Sequence, residues 1–184
     1  MSILHLRRDH KLTYAVIIIT LVVGTLDGAA AMIWSYAATG TFSLRVFKFI
    51  ASGLFGKKAY TGGHIMILWG LLIHYYIALT FSFILLLSYP FVRHRFLSKY
   101  IVGFVYAIGI WVVMDLIIVP ISHVHPTEFV LVNELIALGI LVLCVGMPIS
   151  LLADHHFIVV KHGKSYLEAI SPNYIEEEDE EAKA

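Results

Sequence analysis

The stretch from residue 62 to residue 89, GGHIMILWGLLIHYYIALTFSFILLLSY, decides the fold of this chain. It is almost entirely apolar and contains no Asp, Glu, Lys or Arg. About 20 apolar residues, rising about 1.5 Å each, are enough for a helix to cross the hydrocarbon core of a bilayer. The stretch therefore predicts a transmembrane helix. It also places His74 well inside the membrane, where a polar side chain is costly and normally faces protein or water.

The composition of the whole chain is typical of a membrane protein. Of its 184 residues, 59% are hydrophobic and 14% are charged, whereas soluble domains are usually about 45–50% apolar. The formal net charge is zero, so no basic surface indicates nucleic acid as a partner. Cys144 is the only cysteine, which excludes an intramolecular disulfide and a CxxC motif.

Three further apolar runs predict three more spans. We expect an all-α, four-helix transmembrane bundle in residues 12–152, after a cytoplasmic N-terminus of residues 1–11. A cytoplasmic polar tail of residues 153–184 follows, acidic and disordered at its end. GAAA at residues 28–31 also fits the cleavage site of a signal peptide, but the apolar run continues beyond it, which favours a span. The predicted spans are residues 12–38, 62–89, 100–119 and 128–152.

The connection between the first two spans has an amphipathic pattern. Arg45, Lys48 and Ser52 recur at helical spacing, and apolar residues occupy another face. This pattern predicts a helix lying in the membrane interface, or a shallow re-entrant turn. Such a helix either covers the end of the bundle or binds a specific lipid.

Lys and Arg near the ends of the spans predict the orientation of the chain. With four spans, the N-terminus, the loop between spans two and three, and the C-terminal flank lie on one side of the membrane. Most of the Lys and Arg residues fall on that side. Because such residues are enriched in cytoplasmic segments, we expect both termini in the cytoplasm.

Each predicted span carries one ionisable residue, and all four lie near the middle or in the outer half of the membrane under this topology. Carboxylates and a histidine within reach of one another can hold a divalent metal ion, or can pass protons. No compact motif such as HExxH identifies a metal, so the cofactor stays open. The candidate site residues are Asp27, His74, Asp115 and Glu134. The histidines expected at the outer mouth of this pocket are His64, His123 and His125.

Other interpretations of the polar residues remain open. The four residues can simply hold the helices together through hydrogen bonds. Haem with two axial histidines would need a second histidine at the depth of His74, and no other span has one. His155 and His156, beside Asp154, look like metal ligands but fit carbonyl capping at a helix end better. No nucleophile and base stand at a motif spacing, so an enzyme is not indicated.

Several stretches of the sequence resemble known membrane protein families. These are GTLDGAAA (24–31), VFKFIASGLFGKKAYTGG (46–63) leading into WGLLIHYYIA (69–78), WVVMDLIIVPIS (111–122) and GMPISLL (146–152). They resemble a family of uncharacterised bacterial multi-spanning inner-membrane proteins, and GHIMILWGLLIH is more distantly similar to YagU-type proteins. The resemblance implies the inner membrane of a bacterium. Through the link of YagU-type proteins to acid tolerance, it also implies a proton-related role.

Two hypotheses for the function follow. The first is an integral inner-membrane protein that handles protons or a divalent ion through an outward-facing polar pocket. The second is a non-catalytic structural or accessory subunit, in a homo-oligomer or a membrane complex within the lipid bilayer. In the second case, small residues would allow close helix contacts within or between chains. The glycines concerned are Gly24, Gly28, Gly63, Gly70, Gly103 and Gly109.

Overall fold

A computed structural model describes residues 3–40, 44–96, 98–123 and 130–170 of the chain. All regular structure in these ranges is helical, which confirms the predicted all-α fold. Two π-helical segments interrupt the later helices. The elements are α1 (Ile3–Thr39), α2 (Arg45–Phe55), α3 (Lys58–Thr61), α4 (Ile65–Phe96), α5 (Lys99–Trp111), the first π-helical segment (Val112–Ile118), α6 (Val119–Ile121), α7 (Leu131–Ile140), the second π-helical segment (Leu141–Gly146) and α8 (Met147–Ile170).

Four helical stretches in the described residues are long and apolar enough to cross a membrane. This confirms the predicted number of spans. We call them span one (Leu12–Thr39), span two (Ile65–Arg93), span three (Lys99–Ile121) and span four (Leu131–Ile158).

The ends of two spans differ from the predicted bounds. Span two does not end before Pro90, because α4 continues through this proline to Phe96. Proline is tolerated in transmembrane helices where neighbouring groups satisfy the freed carbonyl. Span four runs past residue 152, and α8 extends to Ile170, so the first part of the predicted polar tail is helical. The acidic end of the tail, predicted to be disordered, lies outside the described residues.

The core lies where the four spans meet, and the outward surfaces of the spans are apolar. Phe91 and Leu143, for example, are 80% and 71% exposed. Exposed apolar side chains of this kind suit contact with lipid rather than water. The core contains Val16, Ile19, Val23, Leu85, Leu86, Tyr89, Val102, Ile110, Val145, Ile149 and Ala153.

Glycines allow two pairs of helices to touch through their backbones. A Cβ atom on Gly103 would lie 2.6 Å from the Gly146 carbonyl oxygen, so α5 and the second π-helical segment are in direct contact. At Gly70, the carbonyl group of Phe47 fills the space that a Cβ atom would need, so α2 packs directly on span two. Small residues at helix crossings are typical of membrane bundles.

Helix α2 stands where the sequence predicts the interfacial helix. Its Phe47 and Ala51 are buried, and Leu54 is exposed. Ser52, which the sequence groups with the polar residues, is 1% exposed and donates a hydrogen bond to the Phe49 carbonyl oxygen at 2.6 Å. The Phe55 ring lies 5.6 Å from the Trp69 ring of span two. α2 therefore covers the beginning of span two.

Candidate functional site

His74 is the most buried of the predicted site residues, with 9% of its surface exposed. Its Nε2 atom lies 2.8 Å from the carbonyl oxygen of Gly24 and joins span two to span one. Because a carbonyl oxygen can only accept, Nε2 carries the proton of this hydrogen bond. The other ring nitrogen, Nδ1, is therefore the atom that can take up a second proton.

Small residues of span one make the space that the His74 ring occupies. A Cβ atom on Gly28 would lie 3.3 Å from His74 Nε2, and one on Gly24 would lie 2.8 Å from the Tyr75 ring. The rings of Phe47 and Tyr75 pack edge-on against the imidazole, with centroids 6.2 and 5.6 Å away. Gly28 thus leaves room for the His74 ring and Gly24 for the Tyr75 ring, so both glycines allow span two to pack closely on span one.

Asp27 lies beside His74. It follows Gly24 by three residues, so it shares the face of span one that meets span two. Its carboxyl group is close enough to interact electrostatically with the imidazole, and also with the thiol of Cys144 in span four. The sequence predicts a shared depth for Asp27 and His74, and in the structure the two side chains lie within electrostatic range of each other.

Asp115 and Glu134 form a second pair, between spans three and four. Their carboxyl groups interact electrostatically, and Trp111 Nε1 donates a hydrogen bond to Glu134 Oε2 at 3.3 Å. Asp115 lies in the first π-helical segment. Such segments change the direction in which side chains point and are frequent at functional sites. The sequence predicts only a packing or interfacial role for Trp111. The structure adds its hydrogen bond to Glu134.

The four residues thus occur as two pairs. No three His, Cys, Asp or Glu side chains in the described part of the chain lie close enough to hold a metal ion together. A protein site for zinc normally has three or four ligands. The hypothesis of a divalent ion therefore finds no ligand set among these side chains.

The predicted mouth histidines lie near the ends of the spans. His64 is exposed, and its carbonyl oxygen accepts hydrogen bonds from the first turn of span two. His123 is also exposed, and its backbone N–H donates to the Gly53 carbonyl oxygen of α2 at 3.1 Å. His125 lies outside the described residues.

A polar cluster that the sequence analysis missed lies around Asp154. The Asp154 side chain is 12% exposed. Its Oδ1 atom accepts hydrogen bonds from Tyr89 Oη at 3.0 Å and from Arg93 Nε at 3.2 Å, and Lys99 Nζ lies 3.5 Å from Oδ2. The cluster joins spans two, three and four. Its one local signal is the spacing of Tyr89 and Arg93, which share a helix face at i and i+4.

The neighbouring histidines lie outside these contacts. His155 is exposed, and His156 is half-buried with its ring 5.5 Å from the Phe157 ring. The ion pairs of Asp154 at this end of span four are made with Arg93 and Lys99.

Comparisons with protein-family models, with curated proteins and with solved structures find no match to this chain. The resemblance to bacterial inner-membrane families therefore stays a prediction from the quoted stretches. The structure itself shows a multi-pass helical protein with four spans suited to a membrane.

Proposed function

We propose that this integral membrane protein handles protons through its paired intramembrane residues. The observation that carries the proposal is that the buried His74, hydrogen-bonded to span one at Gly24, lies within electrostatic range of the Asp27 carboxyl group of the same span. Ionisable groups inside a membrane are expensive and commonly mark proton or ion pathways. A pair consisting of an imidazole and a carboxyl group can exchange a proton, whereas a metal ion would need further ligands.

The geometry of His74 suits this task. Its Nε2–H is held by the Gly24 carbonyl oxygen, so the ring keeps its orientation while Nδ1 gains or loses a proton. The carboxyl groups of Asp115 and Glu134 offer a second place, between spans three and four, where a proton can be held.

The second candidate function is that of a non-catalytic accessory subunit. The same hydrogen bonds, from His74 to Gly24 and from Trp111 to Glu134, hold spans together in pairs. Polar contacts in membrane bundles often have this purely structural role. Proton movement across a membrane distinguishes the two candidates, because a structural contact does not transport charge.

Proton flux through the purified protein tests the proposal. We expect proteoliposomes with an imposed pH gradient to lose the gradient faster than empty liposomes, as measured with an entrapped pH-sensitive dye. His74→Gln and Asp27→Asn should each reduce this flux at least about tenfold, since each removes a group that carries the proton. Thr80→Ala is the control, because its hydroxyl is exposed and bonds within its own helix to Tyr76.

Two results would contradict proton handling. One is a wild-type flux equal to that of empty liposomes. The other is an unchanged flux in both His74→Gln and Asp27→Asn, with the variants shown to be folded by their circular dichroism.

The location belongs to the same proposal. We place the protein in the inner membrane of a bacterium with both termini in the cytoplasm, on the basis of its Lys and Arg distribution and the resemblance of its sequence. His64, His123 and the start of span two then lie on the outer side.

A further inference from the structure

A cavity of about 260 Å³ lies at the beginning of α2. Two basic side chains, Arg45 and Lys48, contribute to its wall, and none of its lining residues in the described part of the chain is acidic. The remaining lining residues are Leu44, Tyr60 and Ile67. None of the four candidate proton-site residues lines this cavity, so it is a separate feature of the molecule.

The surroundings of the cavity are positively charged. No Asp or Glu occurs in the sequence between Asp27 and Asp115, so α2, α3 and span two have no acidic side chain. Lys48 Nζ donates to the Tyr60 carbonyl oxygen at 3.3 Å, which places its ammonium group at the cavity. An ammonium group has three donors and a guanidinium group five, so both side chains can serve several acceptors at once. The amino-terminal end of α2 adds partial positive charge of the same sign.

The cavity also has an apolar side, which faces the membrane. Leu44 is 42% exposed, and the neighbouring Ile65 and Leu68 of span two are 54% and 51% exposed. Because span two begins at Ile65, these residues lie where the polar surface of a bilayer meets its hydrocarbon. The cavity thus brings basic and exposed apolar groups together, as a phospholipid combines a phosphate with acyl chains.

We propose that this cavity binds the headgroup of an anionic phospholipid. Its phosphate lies between Arg45 and Lys48, and its acyl chains run along Leu44 and Ile67. A guanidinium group and an ammonium group are the usual partners of phosphate in proteins. A zwitterionic headgroup fits less well, because α2, α3 and span two offer no acidic side chain to its ammonium group. Under the proposed orientation, Arg45 and Lys48 lie on the outer side of the membrane, where Lys and Arg are normally depleted. Binding of an anionic lipid would explain their presence there.

Native mass spectrometry of the full-length protein in detergent tests the proposal. We expect wild-type protein to retain one phosphatidylglycerol molecule in preference to phosphatidylcholine. The double variant Arg45→Gln/Lys48→Gln should bind phosphatidylglycerol about tenfold more weakly, since it removes both cations that line the cavity. The matched control is Lys57→Gln/Lys58→Gln, which removes the same charge from exposed positions outside the cavity. Its affinity should stay close to that of wild type.

Three outcomes would overturn the proposal. Equal binding by wild type and the Arg45/Lys48 variant would show that the cavity is not the site. An equal loss in the Lys57/Lys58 variant would show a general attraction to surface charge. Displacement of phosphatidylglycerol by inorganic phosphate alone would assign the cavity to a soluble anion. A thermal unfolding temperature matching wild type excludes misfolding as the cause of lost binding.

Discussion

At the scale of single residues, the missing Cβ atom of Gly70 determines how closely α2 packs on span two. We expect Gly70→Ala to lower the free energy of unfolding by about 1–3 kcal/mol, because the new methyl group would collide with the backbone of Phe47. Thermal unfolding in detergent measures this change. The control is Gly109→Ala, where the Cβ atom would meet open space and the helix should be no less stable. Equal effects of the two changes would contradict the close packing of α2.

The Asp154 cluster leads to a second prediction about residues. Asp154→Ala should cost about 1–3 kcal/mol, because it removes the shared acceptor of Tyr89 and Arg93. This range allows for solvent screening of the half-exposed Arg93 and Lys99. Tyr89→Phe should cost only about 0.5–1.5 kcal/mol, because the ring can still stack on Phe157 at 5.6 Å.

The same unfolding measurement has a matched control in Ser88→Ala. The Ser88 hydroxyl bonds only within its own helix, to the Ile84 and Leu85 carbonyl oxygens. Its removal should change stability by less than about 0.5 kcal/mol. A loss as large for Ser88→Ala as for Asp154→Ala would show that the cluster contributes nothing specific.

The residues differ in how far the sequence could predict their surroundings. The depth of Asp27 and His74 follows from counting along an apolar helix, but the distance between their side chains depends on the rotation of two helices about their axes. Rotation is set by packing, here by Gly24 and Gly28. Asp154 was missed because its partner Tyr89 is 65 positions away in the sequence. Ion pairs between helices leave no local pattern.

At the scale of elements, α2 is tied to the end of span three as well as to span two. The backbone hydrogen bond from His123 to Gly53, 3.1 Å from nitrogen to oxygen, places the two residues side by side. A disulfide needs Cα atoms about 4.4–6.8 Å apart, a range that such neighbours can meet. We expect the variant Gly53→Cys/His123→Cys, in a Cys144→Ser background, to form an internal disulfide on mild oxidation. The shift on a non-reducing gel detects it.

A mismatched pair provides the comparison for this cross-link. Gly63→Cys/His123→Cys places a thiol at a glycine with open space around its Cβ position, so we expect no cross-link there. Equal cross-linking of both pairs would mean that α2 does not hold a fixed position against span three.

The helices were predictable to different degrees for physical reasons. An apolar run long enough for a bilayer identifies each span, which is why the number of spans is right. The two π-helical segments have the same apolar composition as the helices around them, so no pattern in the sequence marks them. Span four exceeds its predicted end because Arg93 and Lys99 neutralise Asp154, a contact that composition does not show.

At the scale of the whole molecule, four crossings place both ends of the chain on one side of the membrane. We expect Lys57→Cys to react with a membrane-impermeant maleimide in intact cells, and Lys164→Cys, beyond the end of span four at Ile158, to react only after permeabilisation. Lys57 is exposed in the structure, and Cys144→Ser removes the native thiol. The reverse labelling pattern would place the termini outside, and labelling of both from outside would contradict the count of four spans.

Cys144 is a native chemical probe of the charge on Asp27. This is the sole sulfhydryl in the sequence, it is half-buried, and it lies within electrostatic range of Asp27. The speed at which an alkylating reagent modifies it therefore depends on whether Asp27 is charged. Following that speed as the pH changes, in wild type and in Asp27→Asn, would separate the effect of the charge on Asp27 from the ionisation of the thiol itself.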